Sequence, residues 1–156
     1  MILVSACLAG INCKYNGGNN VVPEIVELVK QGKAIPVCPE QLGGLPTPRT
    51  PAEIKGGTAQ DVLNGRAAVI MRNGKDVTSN FVKGAVETLR FCRDVGIKQA
   101  ILKSRSPSCG KGYVYDGSFS GRLTEGNGVT AHMLMENGIY VITENEIAKL
   151  RRYEGK

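Results

Sequence analysis

The chain has no tryptophan, a single histidine, and only five tyrosines and three phenylalanines in 156 residues. Nor does it hold a dense basic run, because its 20 lysines and arginines are spread along its length. The aromatic-plus-basic patches of single-strand nucleic-acid binders are therefore missing, which argues against DNA or tRNA as the main partner. The lone His132 lies on the helical stretch VTAHMLMENG and reads as structural or solvent-facing, which disfavours a Cys-His-Asp hydrolase. No apolar run approaches the roughly 20 residues of a membrane span. The apolar opening MILVSACLAG has no basic segment ahead of it and runs into CKYNGG without a cleavage site. It reads as a first strand, and the cytoplasm is the expected location. Cysteine pairs spaced C-x2-4-C, the mark of closed zinc sites, are absent too: five residues separate the nearest pair, Cys7 and Cys13.

Five cysteines are nevertheless present, an odd number in a chain with no export signal. A reducing compartment disfavours structural disulfides, so these thiols are core residues, reactive groups or metal ligands. Net charge is +6, a mild bias that serves solubility or attracts an anionic substrate. With 42% hydrophobic residues, the chain is expected to fold as one domain spanning 1–156.

Ile2 to Ala6 is a short apolar run that suits a buried strand. Pro23 to Gln31 begins with Pro and Glu and stops at Gly32, as a helix does. Ala34 to Val37 and Gln99 to Lys103 read as further strands, and Ile139 to Ile142 as another. A helix capped by Thr78 or Ser79 should run to about Asp94, a second should cover Val129 to Glu136, and a third Glu144 to Arg152. Arg66 to Met71 and the piece after Asn73-Gly74 resemble a small hairpin. The stretch from Gly43 to Gly57 reads as an ordered functional loop. Alternating strands and helices predict an α/β fold: a Rossmann-like three-layer sandwich with a mostly parallel sheet and a small hairpin insertion.

Cys7 ends the strand ILVSA, Cys38 ends AIPV, and Cys109 follows QAILK. If those strands are parallel, the three thiols share one sheet edge and can converge. Scattered soft thiolates suit an iron–sulfur cluster better than structural zinc, and three ligands on four irons leave one iron open as a Lewis acid. Cys92 falls on the apolar stripe 81, 85, 89, 92 of a helix and reads as core. Cys13 lies in a Gly- and Asn-rich loop, where it is a spare ligand, a substrate-side thiol or nothing chemical.

Glu40 follows Cys38 by two residues, and neighbouring thiolates would raise its pKa toward that of a neutral-pH acid/base. Ser106, three residues before Cys109 in SRSPSCG, can orient a substrate heteroatom or a water, with Ser104 and Ser108 as competitors. Ser108 can instead bond a cluster sulfur. Gly43, Gly44 and Gly110 allow close backbone approach, while Arg49 and Lys103 are the nearest cations. Arg49 either pairs Glu53 or holds a substrate carbonyl. The candidate substrate-side residues are thus Gly43, Gly44, Arg49, Lys103 and Ser108.

The stretches VSACLAGINCKYNGG, VCPEQLGGLPTPRTPAE, LKSRSPSCG and YDGSFSGRLTEGNGVTAHML resemble the small thiouracil desulfidase family over about residues 1 to 145. That resemblance implies a [4Fe-4S] cluster on Cys7, Cys38 and Cys109, with Glu40 and Ser106 catalytic and Cys13 outside the ligand set. It implies non-redox hydrolysis of a thiolated nucleobase such as 2-thiouracil, or of a related thioamide, with sulfide released. Iron–sulfur assembly machinery is then an implied partner. The extra domain of longer tRNA-acting relatives is not apparent, so a small molecule is the expected substrate. A non-catalytic metal or redox protein, a nucleotide-binding module and a zinc hydrolase on the same cysteines are the competing readings.

Overall fold

A computed structural model describes residues 1–148. In chain order the elements are β1 (Ile2–Ser5), a 3₁₀ turn (Ala6–Ala9), α1 (Pro23–Lys30), β2 (Ala34–Val37), α2 (Pro39–Leu42), β3 (Ala52–Lys55), α3 (Ala59–Leu63), β4 (Ala68–Met71), α4 (Thr78–Val95), β5 (Gln99–Leu102), β6 (Tyr113–Tyr115), β7 (Leu123–Glu125), α5 (Val129–Glu136) and β8 (Tyr140–Thr143). A second 3₁₀ turn follows at Glu144–Glu146.

Strands β2, β1, β5 and β8 form one sheet in that order, and every neighbouring pair is parallel. The apolar runs ILV and AIL suit a sheet covered on both faces. Leu3, Ala100, Leu102 and Val141 point to one face, where they meet Leu89 and Cys92 of α4 and Leu134 of α5. Ile2, Val4, Ile101 and Ile142 point to the other and meet Ile25 of α1. This is the expected three-layer sandwich. Strand order reverses between β1 and β5, and the crevice at such a switch point is where parallel sheets bind ligands.

Helix α1 carries Pro at its start, Glu24 in its first turn and Lys30 in its last, in accord with the helix dipole. Helix α4 ends on Gly96 in the left-handed conformation.

Three local expectations change. The strand predicted within Arg66 to Met71 is β4, but it pairs antiparallel with β3, inside the stretch read as a loop. Asn73-Gly74 does turn the chain, with Met71 N–H donating to Lys75 O at 2.8 Å. Beyond the turn only Asp76 forms a bridge, to Ile70, because Val77 and Thr78 already enter α4. A second hairpin, β6 with β7, and the short helix α3 had no visible sequence signal beyond a Thr58–Asp61 capping box. The terminal helix expected over Glu144 to Arg152 begins as a 3₁₀ turn, and its part beyond 148 lies outside the described residues. No helix among the described residues is long and apolar enough to cross a membrane.

The short helix α2 reaches the site because two glycines let it lie directly on α4. A Cβ on Gly43 would meet Asn80 O at 2.0 Å, and one on Gly84 would meet Pro39 O at 2.1 Å. Asn80 then donates from its amide to Gly43 O at 2.8 Å. Backbone, unlike a side-chain tip, cannot step aside cheaply. Gly84→Ala should therefore cost roughly 1–3 kcal/mol, the range of core overpacking. Denaturant unfolding checks this, and a midpoint equal to the parent's would show that α2 is free to shift.

Candidate active site

A cavity of about 630 Å³ opens beyond the carboxyl ends of β1, β2 and β5. Cys7, Cys38 and Cys109 all line it. Cys7 sits in the 3₁₀ turn after β1, and Cys38 is the residue that caps the start of α2 after β2. Cys109 comes from a turn after β5 that is braced on two sides. On one side the Ser106 hydroxyl oxygen accepts N–H bonds from Ser108 (3.1 Å) and Cys109 (3.0 Å). On the other, the first amides of α5 donate to the turn: Val129 to Pro107 O, and Thr130 and Ala131 to Ser108 O. The start of α5 approaches so closely that a Cβ on Gly128 would lie 2.4 Å from the Ser108 carbonyl carbon.

All five cysteines are free thiols. Burial pushes the Cys109 thiol well above its ordinary range, with the anionic neighbours Glu40, Cys7 and Cys38 adding to the effect. Burial raises Cys7 as well, partly offset by a hydrogen bond from Asn20. Cys38 moves the other way, to about 7, chiefly through a hydrogen bond from Cys13, helped by the Gln41 backbone and Arg49. The three thiols therefore share a field in which deprotonating one hinders the others. A bound cation relieves that mutual repulsion, and metal binding to such thiols releases protons.

No group of three or more His, Cys, Asp or Glu among the described residues is spaced to hold a single metal ion. Three soft thiols facing one roomy cavity are a donor set of the kind that holds an iron–sulfur cluster.

Glu40 and Arg49 form an ion pair on the cavity wall, with Arg49 Nε and one terminal nitrogen each 2.7 Å from Glu40 Oε2. Their side chains are 17% and 4% exposed, so water screens the pair little. Arg49 also donates to Thr47 Oγ1 (2.9 Å), Pro46 O (3.2 Å) and Cys13 O (2.9 Å). The sequence offered either Glu53 or a substrate carbonyl as its partner. Glu53 is instead occupied by backbone N–H groups of the β6–β7 connection, which leaves Arg49 to Glu40. Glu40 thus has a cation beside it, and does not stand alone among thiolates.

Lys103 also lines the cavity, and its ammonium lies 3.1 Å from Glu144 Oε2. Glu144 in turn accepts from Ser104 N (2.7 Å) and Ser104 Oγ (3.1 Å), which ties the loop after β5 to the end of β8. Ser106 is on the cavity wall; Ser108, Gly43 and Gly44 are not. Ser108 is buried and its hydroxyl pairs with Thr130 Oγ1 at 3.0 Å, so it braces the turn from behind. Gly43 owes its lack of a side chain to the α2–α4 contact described above.

Cys92 is core, as its helical stripe predicts, and His132 bonds Gln60 Oε1 at 2.7 Å away from the cavity. Cys13, which the sequence left open as a spare ligand, a substrate-side thiol or nothing chemical, lines the cavity beside Cys38, with its carbonyl 3.9 Å from Cys38 Sγ. Sequence reasoning missed other residues at and around the wall. Ser5 holds Lys103 N–H at 2.9 Å. Glu144 is not itself on the wall but holds Lys103 and Ser104, and it had a readable signal, a carboxylate placed directly after a core strand.

Arg49→Lys should not be conservative, because one ammonium cannot serve Glu40, Thr47, Pro46 and Cys13 together. A loss of about 1–3 kcal/mol in denaturant unfolding is expected. Parent-like stability would mean that the guanidinium fork holds little of this wall.

Comparisons with known proteins give the family and the fold of the chain. A family model described as 2-thiouracil desulfurase matches residues 2–146. The uncharacterized protein YbbK of Bacillus subtilis (strain 168) is 50% identical over 147 residues, covering 94% of this chain and 97% of that one. A solved structure described as the [4Fe-4S]-dependent thiouracil desulfidase TudS superposes with a TM-score of 0.87 at 39% identity, covering 99% of this chain and 97% of that one.

Proposed function

The chain belongs to the 2-thiouracil desulfurase family, and from that premise we propose that its cavity hydrolyses the thiocarbonyl of a small thiolated nucleobase such as 2-thiouracil. Water replaces sulfur at carbon: C=S and H₂O give C=O and H₂S, with no net electron transfer. The observation that carries the reading is the convergence of Cys7, Cys38 and Cys109 from three parallel strands onto the one cavity that also holds Glu40 and Ser106.

A [4Fe-4S] cluster held by those three cysteines would supply an open iron as a soft Lewis acid for the thiocarbonyl sulfur. The other roles fall to the chain itself. Glu40 is anchored through Oε2 by Arg49, which leaves Oε1 out of the pair. A carboxylate so fixed can take the proton of the attacking water. Ser106 accepts two backbone N–H bonds on its oxygen, so its own hydrogen is the group left to donate. Two donors on one oxygen polarise its O–H bond, which suits it to orient a ring heteroatom. Lys103 and Glu144 keep the loop bearing Ser106 in register.

A cavity of about 630 Å³ suits a free base better than a folded nucleic acid. Loading the cluster requires iron–sulfur assembly machinery and a reducing compartment, for which we assign the cytoplasm.

In anaerobic assays of uracil release, Glu40→Gln should lower kcat by roughly 10²- to 10⁴-fold. Its iron content and visible spectrum should match the parent's. Turnover at the parent rate with intact iron would remove Glu40 from the proton transfer. Ser106→Ala should lower kcat too, and should also cost about 1 kcal/mol of stability through the lost turn bonds. Loss of stability without loss of turnover would leave Ser106 a purely structural role.

A further inference from the structure

The cavity wall also contains a strained residue that the catalytic reading does not use. Phe119, in the connection between β6 and β7, has φ of +56°. A bulky residue rarely adopts that left-handed conformation, at a cost of roughly 1 kcal/mol or more. What holds it there is Glu53, buried on β3, whose Oε1 accepts N–H bonds from Gly117 (2.9 Å) and Phe119 (3.2 Å). The contact is close: a Cβ on Gly117 would lie 2.6 Å from Ile54 O. A glycine at 119 would adopt this turn without strain, so the turn itself does not call for a phenyl ring.

The ring is half-buried and lines the same cavity as Cys7, Cys38, Cys109 and Ser106. Lys55 and Arg72 lie 5.7 Å from its centroid. Both are exposed, and neither has a carboxylate salt-bridge partner among the described residues. Contacts that loose, from side chains that solvent already reaches, can yield a ring face to a planar ligand.

We infer that Phe119 is the platform on which the planar ring of the substrate stacks, and that Glu53 is the positioning residue that holds the platform at the cavity. This rests on the desulfidase reading and narrows it: the site selects conjugated ring thioamides over acyclic thioureas, which offer no comparable face. Strain kept in place by a buried carboxylate is the pattern of a residue retained for binding.

The test uses anaerobic holoenzyme, uracil release from 2-thiouracil, and thermal melting. Phe119→Gly should raise KM roughly ten- to hundredfold, the range of base-on-aromatic stacking, with kcat falling less. Its melting temperature should stay within a few degrees of the parent's, because relief of the left-handed strain offsets the lost ring contacts and the added freedom of the unfolded chain. Glu53→Gln keeps an oxygen for the two N–H groups and should hold KM near the parent's, whereas Glu53→Ala should resemble Phe119→Gly. An unmoved KM in Phe119→Gly overturns the platform. So does a melting temperature lowered by several degrees together with iron loss, which would make the ring scaffold. A parent enzyme that releases no uracil overturns the desulfidase reading itself, an outcome distinct from either.

Discussion

Parallel alignment of β2, β1, β5 and β8 makes the backbone leave each strand at the same edge of the sheet. Everything in the site follows from that edge. Cys7 and Cys38 stand one or two positions beyond their strands, and Cys109 stands in a braced turn seven residues past Leu102. Residues more than 100 positions apart in the chain thereby face one cavity. An antiparallel arrangement would send alternate connections to the opposite edge and scatter the thiols.

Bringing acidic groups together has an electrostatic cost, and the fold meets it with cations held in fixed geometry. Arg49 is almost fully buried and binds Glu40 while also gripping the Cys13 carbonyl. Lys103 pairs with Glu144, and its charge offsets a little of the burial that raises the Cys7 thiol. The thiols themselves divide: Cys38 is held near 7, while burial keeps Cys109 protonated until something replaces its proton. Metal binding at Cys109 therefore has to displace a proton that burial retains, whereas Cys38 gives up its proton more readily.

Much of this was legible in the chain, and the reasons differ by element. Strands ILVS, AIPV and QAIL are short apolar runs bounded by turn residues, and helix α4 carries its apolar stripe for 18 residues to a glycine stop. Their alternation sufficed to place Cys7 and Cys38 at strand ends and Cys109 in the loop after a third strand. Strand β3 was not legible, because AEIK has one buried apolar residue and gains its identity from pairing with β4. The β6–β7 hairpin has three-residue strands with little burial, so no periodicity could reveal it. Consequently Phe119 and the true partner of Glu53 stayed hidden, since both depend on that hairpin crossing to β3. Gly43 and Ser108 sit beside site residues in sequence, yet each serves packing behind the wall. Neighbourhood in the chain does not distinguish the two faces of a turn.

The central claim is that Cys7, Cys38 and Cys109 hold an iron–sulfur cluster while the other two cysteines do not. Anaerobic iron and sulfide content across the five single Cys→Ser variants tests it most directly. The account predicts a parent with close to four irons and four sulfides per chain, as in the cluster of the structurally similar desulfidase. Replacing Cys7, Cys38 or Cys109 should lower both counts sharply, and replacing Cys13 or Cys92 should leave them near the parent's. A parent that stays iron-free after anaerobic reconstitution, or a Cys13 variant that loses its cluster while a Cys7 variant keeps it, would contradict the account.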